Sequence, residues 1–172
     1  LGIMGFTVRL YNRTEENLHA VRWHGGIRVF GEVEGFGPVQ TATSSMAEAI
    51  SGTDVIMVVV PATAHRYVAE QMAPHLTPGQ LVVLNPGRTG GALEVRKVFA
   101  DARVAAAAVV AETQTFLYAS RAVSPWKAHI FRIKNANPLA TLPSYCIPDA
   151  LAILNGPFPQ LEALVGAGPA AG

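Results

Sequence analysis

A doubly wound α/β fold on a parallel sheet is predicted by three observations in this 172-residue sequence. Apolar runs at residues 55–60, 81–84 and 105–111 each stop at a polar or Pro/Gly turn. Between them, apolar residues recur at helical spacing, the alternation that builds a parallel sheet with helices on both faces and right-handed crossovers. Ahead of them, Val8-Arg9-Leu10-Tyr11-Asn12-Arg13-Thr14 passes from an apolar strand to a polar, basic tip and directly into a helix start.

That tip refines the class. In a Rossmann unit the second strand ends in an acid where a ribose 2′-OH is recognised and in Arg where a 2′-phosphate is accommodated. Here no acid is present and Arg13 follows Asn12. A G-x-G-x-x-G turn should precede the tip by roughly twenty residues, yet eleven residues stand before Asn12. The prediction is therefore a Rossmann-like sheet lacking its first strand and Gly-rich turn, with a small antiparallel β excursion. In the order 3-2-1-4-5-6 the missing strand lies between the strands ending at Tyr11 and Val60. Either those two close up, or another segment fills the slot, or the piece is poorly stable.

The elements follow in order. Leu1-Gly2-Ile3-Met4-Gly5 reads as a last helical turn with Gly5 at C′, and residues 6–11 as the first strand. Asn12-Arg13-Thr14-Glu15 starts a helix, with Asn12 or Thr14 as cap and Glu15 and Glu16 near its positive end. Leu18 and Val21 give its apolar face, and Gly25-Gly26 stops it. Residues 27–40 alternate with period two, the excursion of short antiparallel strands. Residues 46–50 form a short helix, and 55–60, apolar on both faces, a central parallel strand halted by Pro61. Ala64, Tyr67, Val68 and Met72 mark a helix ending by Pro74. Residues 81–84 form a buried strand, 91–99 a helix, 105–111 a strand ending in Glu112, and 116–134 one or two more strands. From Asn137 prolines multiply, and Pro148 opens a short helix to Leu154. Residues 1–161 read as one incomplete dinucleotide-binding domain and 162–172 as a flexible tail.

Composition narrows the function. Half the residues are hydrophobic and 15% are charged, which suits one globular domain. The formal charge of +1, with thirteen Lys and Arg scattered along the chain and in no longer run than Arg96-Lys97, offers no basic face for nucleic acid. No apolar run approaches the ~18 residues of a membrane span, and no secretory signal is visible, so a soluble cytoplasmic protein is expected. The single cysteine, Cys146, reads as a small buried residue and excludes an internal disulfide or cysteine cluster. H-E-x-x-H, G-x-S-x-G and Walker A runs are absent, which removes the usual supports for zinc or serine hydrolysis and triphosphate cleavage.

Ligands of open α/β sheets sit outside the carboxyl ends of the strands. The candidate cofactor-binding residues are therefore Asn12, Arg13 and Thr14, then Val60, Pro61 and Ala62, then Asn85, Pro86 and Gly87, and Glu112. Arg13 presents a planar, permanent charge to a 2′-phosphate or adenine, or is simply solvated at a helix start. It inclines the cofactor toward NADP over NAD. Pro61 rigidifies the turn beneath a nicotinamide ribose or merely stops a strand. Asn85 with the amides of Gly87, Gly90 and Gly91 forms an anion or carboxamide nest, or only a turn. Arg88, the best partner for a substrate carboxylate, and Gln114 are the candidate substrate-binding residues; a loop Arg is more often solvated. Glu112 bonds a ligand or caps buried backbone. His65 is a proton donor or a packed helical residue. No metal site is expected.

Four segments carry a resemblance: Tyr11-Asn12-Arg13-Thr14; Val58-Val59-Val60-Pro61-Ala62-Thr63-Ala64-His65; Leu84-Asn85-Pro86-Gly87-Arg88-Thr89-Gly90-Gly91; and Ala111-Glu112-Thr113-Gln114-Thr115 with Tyr118-Ala119-Ser120-Arg121. Together they resemble the N-terminal domain of the octopine/nopaline (opine) dehydrogenases, over about residues 5–161. The resemblance implies reductive joining of an amino acid to a 2-oxo acid with NADH or NADPH, the nicotinamide carrying the hydride. It also implies that the catalytic His and its acidic partner lie in a second, C-terminal domain, so no catalytic residue is expected in this chain. The chain then reads as truncated at both ends and inactive alone, with a homodimer left open. Alternatives within enzymes are the cofactor domains of glycerol-3-phosphate dehydrogenase, ketopantoate reductase or a β-hydroxyacid dehydrogenase. Outside enzymes, the alternative is a non-catalytic nucleotide-binding or interaction module.

Overall fold

The chain begins with a 3-10 turn, Gly2–Met4, closed as expected by Gly5, whose N–H returns to the Gly2 carbonyl from left-handed backbone. The computed structural model describes residues 1–87, 90–104 and 108–164. Strand β1 (Arg9–Tyr11) is shorter than the expected 6–11, and Phe6 lies exposed outside it. Helix α1 (Glu16–His24) starts later than expected, because Asn12 Oδ1 accepts the Thr14 N–H at 2.9 Å and orders a turn before the helix. The N-cap position falls to Glu15, which makes no side-chain cap. The excursion then forms as β2 (Gly26–Gly31) and β3 (Gly35–Pro38), paired antiparallel. β4 (Thr41–Thr43), too polar to stand out as a strand, lies parallel to β1 with Arg9 opposite Thr41. Helix α2 (Met46–Ile50) spans the expected residues, and Ser45 Oγ accepts the Glu48 N–H at its start.

The second half supplies the main sheet. β5 (Val55–Val58) leads through a 3-10 turn, Ala62–Ala64, into α3 (His65–Met72). β6 (Gln80–Leu84) and α4 (Gly91–Asp101) follow, then β7 (Ala108–Thr113). The predicted start of that last strand, 105–107, lies outside the described residues. β5 stops two residues short of Val60. The Asn85 N–H reaches the Val58 carbonyl, Pro86 has no N–H to offer, and the Gly87 N–H turns instead to the Thr113 carbonyl. β8 (Tyr118–Ser124) and β9 (Lys127–Ile133) leave the main sheet and join the excursion in the order β3-β2-β9-β8. Stacking of Trp126 on His24, with ring centroids 3.6 Å apart, ties that sheet to α1. β10 (Asn137–Leu142), α5 (Ile147–Leu154) and β11 (Leu161–Ala163) complete the chain. β11 occupies part of the expected tail, whose remainder from 165 lies outside the described residues.

The main sheet has the order β11-β10-β7-β6-β5. Its β5-β6-β7 ladder is parallel as predicted, whereas β10 runs antiparallel to β7. Alternating side chains of β6 feed two cores. Val82 and Leu84 face α3 and α4 with Met72, Val95 and Phe99, while Leu81 and Val83 face α5 with Leu139, Ala150 and Leu154. All five residues of β6 are buried, as a strand covered on both faces must be. Each large side chain enclosed this way contributes about 1.5–3 kcal/mol.

The predicted centre is open. β1 is paired only with β4, and β5 only with β6, among the described residues. The two strands therefore do not close up, which eliminates the first of the three outcomes. β5 ends its sheet as an edge strand, with Val55, Ile56 and Met57 only half-buried. Its apolar composition suited a central strand; what it lacks is a neighbour on the side facing β1.

Candidate functional site

Register brings three strand ends level. Val58 lies opposite Leu84, and Leu84 opposite Glu112, so the loops after β5, β6 and β7 open on one edge. The tip of β1 reaches the same edge from across the open centre. There the Tyr11 phenol lies beside that of Tyr67 on α3, and the Arg13 guanidinium lies over the Tyr67 ring, 5.8 Å from its centroid. Burial, and then the neighbouring Tyr67, hold the Tyr11 pKa above its ordinary value.

The predicted residues divide by what their side chains and amides already do. Asn12 is half-buried, its Oδ1 held by the Thr14 N–H and by Asn17 Nδ2 at 3.3 Å, while Arg13 and Thr14 are exposed. No described carboxylate pairs with Arg13. Val60 packs against the α3–α4 core, whereas Pro61 and Ala62 are exposed on the rim. Asn85, Pro86 and Gly87 are buried. Asn85 Oδ1 accepts from the Thr113 hydroxyl at 3.1 Å and the Leu117 N–H at 3.2 Å, so this side chain braces the loop from within. The Gly87 N–H, expected in an anion nest, is engaged by the Thr113 carbonyl at 3.1 Å, and a Cβ at Gly87 would overlap the Glu112 side chain. Arg88 lies outside the described residues. Gln114 is exposed, with its N–H on the Pro138 carbonyl.

Glu112 takes the capping role. Its Oε2 accepts the Ala92 N–H at 2.9 Å, placing a carboxylate at the positive end of α4. Gly90, the residue before that helix, sits at φ 89, where a side chain is strained. His65 is buried at 1% exposure beneath the same loop, with neither ring nitrogen hydrogen-bonded. It packs so closely on Gly91 that a Cβ there would lie 2.8 Å from Nδ1. Burial lowers its pKa, opposed by Glu94 and Glu112. His65 thus occupies the packed position of the two readings. Tyr67 is the residue that sequence reasoning passed over, because its helical spacing marked it only as an apolar position.

The arrangement fits a dinucleotide at the β1 tip, where Arg13 offers a cation that no described carboxylate pairs with. It fits also at the far end, where the loop after β6 stays closely packed on Glu112. Between them, the phosphates need backbone N–H groups from a strand lying between β1 and β5. A cavity of about 400 Å³ borders this region, lined by Leu10, Asn12, Leu18 and the β8–β9 turn at Val123 to Pro125. A larger one, about 470 Å³, lies between α3 and the end of α4 at Arg66, Glu70, Val98 and Asp101, where no strand end contributes.

A doubly wound sheet with this rim defines a dinucleotide-binding domain of the Rossmann class. Residues 2–115 match the NAD binding domain of 6-phosphogluconate dehydrogenase, and the chain belongs to that family of NAD-binding domains. It is 32% identical over 165 residues to the opine dehydrogenase of Arthrobacter sp. (strain 1C), covering 95% of this chain and 46% of that relative. Its fold is similar to that of octopine dehydrogenase in complex with NADH and agmatine, with a TM-score of 0.76 at 23% identity over 92% of this chain and 42% of that one. Yersinopine dehydrogenase with NADP+ bound is also similar, with a TM-score of 0.69 at 18% identity over 92% of this chain and 41% of that one. The chain therefore spans less than half the length of these proteins. No helix among the described residues is long and apolar enough to cross a membrane.

Proposed function

We propose that residues 1–161 are the cofactor-binding portion of a cytoplasmic, NAD(P)-dependent oxidoreductase that joins an amino acid to a 2-oxo acid. The observation that carries this reading is the level edge of β5, β6 and β7, joined by the β1 tip through Arg13 and Tyr67. Similarity to an opine dehydrogenase along 95% of the chain supports the substrate class. When bound, the reduced nicotinamide supplies the hydride. Asn12, Arg13 and Thr14 hold the adenosine ribose and its phosphate. Pro61 and Ala62 bound the rim beside them, and Glu112, Asn85 and Thr113 fix the loop that closes its other end. A strand seated between β1 and β5 supplies the phosphate-binding turn. Arg88 and Gln114 take the substrate-binding roles, and the proton transfers belong to a further domain. The working enzyme takes small molecules and no nucleic acid.

Calorimetric titration of NADPH and NADH into the chain and into Arg13→Ala tests the cofactor reading. Selective loss of NADPH affinity in the variant is expected. Failure of the parent chain to register either coenzyme at millimolar concentration would reject it.

A further inference from the structure

Arg13 and Tyr67 come from opposite sides of the open centre, yet they meet at its mouth. Arg13 leaves the end of β1, and Tyr67 stands in the first turn of α3, the helix that follows β5. Arg13 is exposed and no described carboxylate engages it; its guanidinium lies over the Tyr67 ring at 5.8 Å and acts electrostatically on the neighbouring Tyr11 phenol. A guanidinium within about 6 Å of a ring centroid is attracted by the electron-rich face, and a planar cation lies flat on it where an ammonium does not. Tyr67 is itself 38% exposed, and its phenol lies beside that of Tyr11, a strand residue packed against the main core. A long side chain that would otherwise sample many rotamers at a strand tip is thus parked in one place, with its N–H edge free.

We infer that Tyr67 is a positioning residue that holds Arg13 at the ribose end of the rim, making the site selective for a nucleotide carrying a 2′-phosphate. The inference rests on the cofactor reading and goes beyond it, because selectivity is assigned to a pair spanning two structural units. The ring restricts Arg13 before the ligand arrives, so less freedom is lost when its donors meet the phosphate oxygens. The Tyr11 phenol interacts with both Tyr67 and Arg13, so the effect is assigned to the aromatic face of Tyr67, with its hydroxyl secondary.

The test uses adenosine 2′-monophosphate and adenosine 5′-monophosphate, which need no pyrophosphate-binding turn, titrated into the full chain and followed by NMR. The quantity read is the ratio of their affinities, which general loss of structure does not change selectively. The parent chain should prefer the 2′-phosphate. Tyr67→Leu should lower that preference roughly two- to fivefold, the share expected of an exposed cation–π contact. Tyr67→Phe, which keeps the ring, should restore it. In an Arg13→Lys background, Tyr67→Leu should change the preference less than it does in the parent chain, a double-mutant comparison that corrects for any general loss of stability; an equal change in both backgrounds would overturn the inference. A preference unchanged in Tyr67→Leu would overturn the inference and leave the cofactor reading standing. Equal binding of both nucleotides by the parent chain would also overturn it, leaving a rim suited to NAD. Binding of neither would reject the cofactor reading and the inference together.

Discussion

Replacing Glu112 by alanine tests how the rim is held. The carboxylate sits at the start of α4, where its Oε2 accepts the Ala92 N–H at 2.9 Å, and Gly87 of the preceding loop packs on the same side chain. Removing a charged acceptor from the N–H of a buried residue costs about 1.5–3 kcal/mol, and losing the negative charge near the helix N-terminus adds about 0.3–1 kcal/mol. Glu112→Ala should therefore lose about 2–4 kcal/mol in urea unfolding followed by far-UV circular dichroism. Glu112→Gln keeps a carbonyl acceptor of the same reach and gives up only the charge, so about 1 kcal/mol is expected. The local readout is amide hydrogen exchange at Ala92, which should accelerate strongly in the alanine variant and weakly in the glutamine variant. If the alanine variant matches the glutamine variant in both measurements, Glu112 does not hold the helix start and the loop must be fixed by Asn85 and Thr113 alone.

Gln80 is a second buried anchor, 3% exposed, whose Nε2 donates to the carbonyls of Ile50 at 2.8 Å and Thr53 at 3.0 Å while its Oε1 accepts the Thr77 N–H at 2.9 Å. Gln80→Leu keeps the volume but strands those groups, and a loss of about 2–4 kcal/mol of unfolding free energy, read as a lower urea midpoint, is expected. His65 gives a pH signature. Its folded pKa lies below the ordinary value near 6.5, so under acid the unfolded chain takes up a proton that the folded chain refuses. The stability it allows is intact above the unfolded pKa and is lost as pH falls toward the depressed folded value. His65→Leu should therefore gain relative to the parent chain as pH is lowered from 8 to 5; a difference that stays constant with pH would mean that His65 is solvated.

Most of the framework was legible where burial is complete. β6, buried throughout, the short helix at Met46–Ile50 and the Pro148 helix stand where the sequence put them, while the runs of β5 and β7 were located with different ends. Local composition hid three strands. β4 is Thr-Ala-Thr, with no apolar run, and β11 has three residues. β10 contains Pro138, which reads as a strand breaker. It is tolerated because the ladder with β7 begins at Leu139, so on that side no amide is needed from the proline. The candidate site was legible as a set of strand tips, since that follows from topology. Which atoms remain free does not. The inward turn of Asn85 depends on Thr113 and Leu117, and the pairing of Arg13 with Tyr67 on residues 54 positions apart brought together across an unpaired centre.

The most direct measurement is a map of backbone amide shifts on adding NADPH to the isotopically labelled chain. Changes should gather at Asn12 to Thr14, at Pro61 to Tyr67, and around Gly90 to Ala92 and Glu112, all on the edge where β5, β6 and β7 end. Changes centred on β2, β3, β8 and β9, or scattered over both ends of the main sheet, would contradict a single rim for a two-nucleotide coenzyme.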